Sequence, residues 1–120
     1  MTPPQINSDS SEGAKRPSFG RVDVPPHDAT LAFTSEGRGG TVRYRDHRTA
    51  FDMWWEFALP PAVVIIGVAS GDTWERDTGI PLSERDRTLA WIADRALRDQ
   101  VSSGGSVLIS DTHITLYRAP

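Results

Sequence analysis

Apolar and polar residues alternate strictly over residues 41–46, with Val42 and Tyr44 on one side and Thr41, Arg43 and Arg45 on the other. A period of two marks a half-buried strand. The period recurs over residues 51–58: Phe51, Met53, Trp55 and Phe57 share the apolar side, and Asp52, Trp54 and Glu56 lie opposite. Residues 30–34 form a shorter strand. The glycine-rich stretch 35–40 is the turn that makes a hairpin of it with 41–46. Leu59, Pro60 and Pro61 end the second alternation, because proline lacks a ladder donor and forces its predecessor to be extended. Residues 62–68 (AVVIIGV) are apolar on both faces and β-branched, as a central strand requires.

Residues 69–82 read as a long irregular connection, a kind of loop that is often functional. The period then changes to that of a helix. Leu89, Ile92, Ala93, Ala96, Leu97 and Val101 form one apolar stripe. Ser83 is placed to start this helix, with Asp86 as its capping-box acid, and Gly104 and Gly105 to end it. Residues 106–109 and 113–117 are two short strands joined by a turn at 110–112. The order β-β-β-β-α-β-β predicts an α+β fold, an antiparallel sheet of about six strands with one long helix packed on one face.

Residues 1–28 hold five of the nine prolines and only scattered apolar residues. They predict a disordered N-terminal tail, of which 19–24 is the piece suited to docking. Residues 29–118 make a single domain.

Composition narrows function mainly by exclusion. The 120 residues carry 13 basic and 16 acidic groups, for a net charge of −3. The charges are mixed along the chain, so no field favours nucleic acid or an anionic membrane. Every basic residue but Lys15 is arginine, a bias that GC-rich coding alone produces. There is no cysteine, which removes disulfides, thiolate metal sites and a thiol nucleophile. Residues 1–15 have neither the basic segment nor the apolar run of a secretory signal, so a cytoplasmic location is expected. His27, His47 and His113 lack metal-pair spacing. No phosphate loop, nucleophile elbow or dinucleotide fingerprint occurs. No metal, cofactor or catalytic activity is expected.

The tryptophans stand out instead. Trp91 lies opposite the helix stripe with Arg87, Arg95 and Arg98 around it, a Trp–Arg combination typical of binding hot spots. It is equally a local guanidinium–indole stack. This patch is the expected surface for a protein partner or a homodimer, in a binding module of regulatory or immunity type. The alternative is a small-ligand cleft between the sheet and the 69–82 loop, built from Trp54, Trp74, Arg43, Arg45 and Glu56. Asp52 and Glu56 are too far apart along a strand to act as a coupled acid–base pair. A cross-strand ion pair from Glu56 to Arg43 or Arg45 is expected instead.

Overall fold

The computed structural model describes residues 24–120. Most of the predicted tail, including all of the docking piece 19–24 but Val24, lies outside the described residues. Residues 24–28 already join the domain. Val24, Pro25 and Pro26 are half-buried. The Pro26 carbonyl accepts from the Ala29 N–H at 3.0 Å.

Six strands follow: β1 (Thr30–Glu36), β2 (Gly39–Arg45), β3 (Ala50–Phe57), β4 (Ala62–Gly67), β5 (Gly105–Ile109) and β6 (His113–Arg118). Between β4 and β5 come a short helix α1 (Trp74–Thr78), a 3-10 turn (Leu82–Glu84) and the long helix α2 (Arg85–Gln100). The strands form one sheet in the order β1-β2-β3-β4-β6-β5, and every neighbouring pair is antiparallel. The predicted α+β architecture is therefore present. The apolar strand β4 sits between β3 and β6, as its two-sided pattern requires.

Alternation decides the faces. Leu31, Val42, Tyr44, Met53, Trp55, Val64, Ile66, Ile114 and Leu116 are buried under α2, against its Leu89, Ile92, Ala93 and Ala96. Phe57, the last residue of β3, has the right parity but is 53% exposed. It packs edge-on against Trp55 at 5.0 Å.

Local chemistry moved several boundaries. The β1–β2 turn is only Gly37 and Arg38, since Glu36 already pairs with Gly39. Gly37 has φ +71°, the left-handed conformation that a two-residue hairpin needs. Gly40 belongs to β2, paired with Ser35 and Trp55, and a Cβ there would strike the Thr34 carbonyl. That carbonyl accepts the Trp55 indole N–H at 2.9 Å. Gly40→Ala is thus expected to overpack the site and cost about 1–3 kcal/mol. A urea midpoint equal to wild type would contradict this.

The 69–82 connection is not irregular throughout. Trp74 opens α1 and is fully buried, and the Thr78 hydroxyl donates to the Trp74 carbonyl at 2.7 Å. Ser83 makes no cap; the 3-10 turn feeds α2 directly, neither N-cap residue caps with its own side chain, and the Glu75 carboxylate accepts the Leu82 N–H at 2.7 Å. The helix ends at Gln100 on Val101, ahead of the two glycines. Gly104 takes φ +85° in the turn that follows, and Gly105 lies in β5.

Two arginines fasten the loops to α2. Arg85 donates from Nη2 to the Ala69 carbonyl at 3.0 Å and the Asp111 carbonyl at 2.6 Å, and its guanidinium lies over the Trp74 ring. Arg48 bridges the buried Asp46 carboxylate, at 3.2 Å, to Glu84 at the head of α2, at 3.0 Å. Asp46 also accepts from the Tyr44 hydroxyl at 2.6 Å and from the Arg48 and Thr49 N–H groups at 2.7 and 3.3 Å. The polar turn 46–49 is thereby tied to α2 through the one buried carboxylate, Asp46.

Candidate functional site

One helix can cover only one sheet face. The other carries Thr41, Arg43, Asp52, Trp54, Glu56, Gly67, His113 and Thr115, the outward parity of β2, β3, β4 and β6. Thr41 pairs with Trp54 across β2 and β3, and Gly67 pairs with His113 across β4 and β6. Trp55 pairs with Ile66, so Trp54 and Gly67 fall in the same row.

Trp54 is 46% exposed, as its parity predicted. It is nevertheless held in place. Its indole lies over the bare Cα of Gly67, where any Cβ would collide with the ring. The His113 ring meets it edge-on, with centroids 5.5 Å apart and planes at 73°. Edge-to-face contact matches the ring quadrupoles. His113 is itself fixed, with Nδ1 2.7 Å from the Thr112 hydroxyl. A large aromatic is thus displayed to solvent with little rotational freedom left to lose.

Hollows flank the ring on both sides. The larger, about 570 Å³, is bordered by Glu36, Arg38, Gly39, Thr41, Trp54 and Glu56. The smaller, about 280 Å³, lies between the sheet and the 69–82 connection, against Asp52, Trp54, Gly67, Ala69, Asp77 and Thr78. Arg76 beside Asp77, foremost through its hydrogen bond, holds that carboxyl below the usual aspartate range.

The predicted ligand set is only partly assembled. Trp54 borders both hollows and Glu56 the larger one. Trp74 is on the core face and wholly buried, so it reaches neither. Arg43 pairs with Asp52, Nε to Oδ1 at 3.1 Å, and not with Glu56. The register explains this: Arg43 is opposite Asp52, whereas Glu56 is opposite Gly39. Arg45 is exposed at the far end of β2, across from Ala50.

The predicted Trp91 patch is also divided. Trp91 does not stand away from the core. It is half-buried and packs edge-on against Tyr44, with centroids 5.8 Å apart. The Arg95 guanidinium lies 5.7 Å from its ring centroid, so the local stack is formed. Arg98 turns to Asp94 at 3.0 Å, and Arg87 is exposed. The structure brings Trp91 and Arg95 together, but not the quartet.

Sequence reasoning missed Gly67 and His113 as supports of Trp54. The one available hint was a glycine inside a β-branched strand, which marks close approach by something else. His47 pairs with Asp28 at 3.0 Å, on a different element from His113. Among the described residues, no group of three or more His, Asp or Glu side chains is placed to hold a metal. None of the described helices is long and apolar enough to cross a membrane. Comparison with protein-family models, with curated proteins and with solved structures found no match to this chain.

Proposed function

We propose that this protein acts by binding another protein through its uncovered sheet face, with Trp54 as the anchor, in a regulatory or immunity-type role. The observation that supports this is the seated indole: 46% exposed, yet fixed by Gly67 and His113. A rigid, amphipathic ring loses little entropy on contact, which is why tryptophan dominates interface hot spots. Its surroundings also fit a protein interface. The Arg43–Asp52 pair, Thr41 and Glu56 form a polar margin around it, and such rims are characteristic of interfaces.

The small-ligand reading fits less well. Ligand sites are concave, mostly apolar and about 300–1,000 Å³. The cleft beside the 69–82 connection is about 280 Å³ and bordered by Asp52 and Asp77. The larger hollow has Glu36, Arg38 and Glu56 around it.

A photo-crosslinking residue at Thr41, beside Trp54 in the register, tests the proposal. It should capture a partner that binds the purified protein. A hot spot of at least about 2 kcal/mol means Trp54→Ala weakens that complex by roughly 30-fold or more. Trp91→Ala should leave it unchanged. Undiminished affinity in Trp54→Ala would rule out this face.

A further inference from the structure

The two edges of the sheet differ. The exposed residues of β1 are Thr30, Ala32, Thr34, Ser35 and Glu36, all polar but Ala32. On β5 every residue is exposed, and three of the five are large aliphatics: Val107, Leu108 and Ile109 at 38, 58 and 39%. No charge and no proline interrupts Gly105–Ile109. Natural sheets normally guard such an edge with one or the other.

The direction of its free backbone groups follows from the hairpin. Ser110 donates to the His113 carbonyl at 2.8 Å, and Ala119 donates to the Gly104 carbonyl at 3.1 Å. Hydrogen-bonded pairs alternate in an antiparallel ladder. Residues 104, 106, 108 and 110 therefore point their backbone groups at β6. Gly105, Val107 and Ile109 point theirs outward, beyond the sheet.

We infer that β5 pairs with β5 of a second copy of this chain, antiparallel about a two-fold axis at Val107. Val107 then meets its own symmetry mate, and Gly105 meets Ile109 at both ends. Three hydrogen-bonded pairs give about six new backbone bonds. The pairing is isologous, so it closes at two chains.

The side of α2 next to this edge is self-complementary in the same sense. Asp86 and Leu89 border the hollow beside Ile109, which puts that side of α2 against β5. Helical spacing adds Ala90, Ala93, Leu97 and Gln100 to the same side. Read antiparallel, the small Ala90 faces the larger Leu97 of the second copy. Asp86, an acceptor, faces Gln100, an amide donor. Val107 and Ile109 pair with the core residues Leu116 and Ile114, so they are on the helix side and would be covered by the same contact. A partner of different sequence would need to supply this pattern; a second copy already has it.

Light scattering of the full chain at about 100 μM, well above micromolar dissociation constants, should give twice the 13.2 kDa of one chain. Val107→Lys should halve that mass with circular dichroism unchanged. Ala90→Glu, an exposed helix position, should do the same without altering β5. Ala32→Lys on β1 should leave the dimer intact. The chain has no cysteine, so Val107→Cys offers a clean second readout. Hydrogen-bonded partners have Cα atoms about 5.5 Å apart, within disulfide reach, and mild oxidation should link two chains. A monomer at this concentration with no cross-linking overturns the inference. So does a dimer that survives Val107→Lys and Ala90→Glu, or one that Ala32→Lys dissolves.

Discussion

Replacing Asp46 with alanine is expected to cost about 3 kcal/mol of stability, the largest loss from any single polar side chain here. The side chain is fully buried and receives four hydrogen bonds, from Tyr44, Arg48 (two) and Thr49. Hydrogen bonds to a charged group are worth about 1.5–3 kcal/mol each, and an orphaned buried donor costs about 1–3. Tyr44 is fully buried, so its hydroxyl cannot recover water. The Arg48 side chain is 28% exposed and can, which keeps the loss at the low end of the roughly 3–5 kcal/mol for breaking a buried pair. Urea denaturation measures the loss. Tyr44→Phe made in the Asp46→Ala background should cost less than Tyr44→Phe in wild type, since no hydroxyl is then stranded. Additive losses would mean that Tyr44 and Asp46 do not act together.

The same junction shapes the pH dependence. Burial pushes the Asp46 carboxyl up, but the hydrogen bonds from Tyr44 and Arg48 outweigh it and hold the group below its ordinary value of 3.8. Its contribution is therefore present above about pH 4 and lost as pH falls through the folded value. Tyr44 shifts the other way: burial first, then the Asp46 hydrogen bond and charge, hold its proton well above the usual tyrosine range near 10. That contribution is present below about pH 10 and lost as pH rises further. Asp46→Ala should flatten the acid limb of the stability profile, and Tyr44→Phe the alkaline one.

How far the residues announced this structure depends on whether a period could speak. Trp54 and Trp55 are adjacent in a strictly alternating strand, so one had to be outside, and it is Trp54. Trp91 was harder. A stripe drawn through Leu89, Ile92 and Ala96 leaves it opposite, but the buried arc of α2 is wider and includes Thr88. The Thr88 hydroxyl is satisfied by the Glu84 carbonyl at 2.9 Å, so a polar residue is buried and the arc extends toward Trp91. A five-residue helix with one apolar residue, Trp74, has no period to detect. Arg85 and Gly67 matter through partners distant in sequence, and no local pattern encodes those pairings.

Gly67→Ala is expected to remove the binding proposed for the open face while leaving the fold nearly as stable as before. The added Cβ would occupy the space of the Trp54 indole. Two things can yield, the ring or the strand. Gly67 is paired with His113 and lies beside the buried Ile66, so moving the strand disturbs the core. The indole is 46% exposed and can swing outward. Its lost edge contact with His113 is worth about 0.5–1.5 kcal/mol. Alanine regains about 0.5–1 kcal/mol over glycine within a strand. The two nearly cancel, so the urea midpoint should move little, while the near-ultraviolet dichroism of the tryptophans changes. Affinity should fall toward that of Trp54→Ala, since a freed ring must be ordered again on contact. In the double variant the two losses should not add, because both act through one side chain. Wild-type affinity in Gly67→Ala would show that recognition needs the indole but not its seat. A glycine in this β-branched strand weakens the strand itself; at position 67 its bare Cα is what lets a tryptophan lie flat on an uncovered sheet.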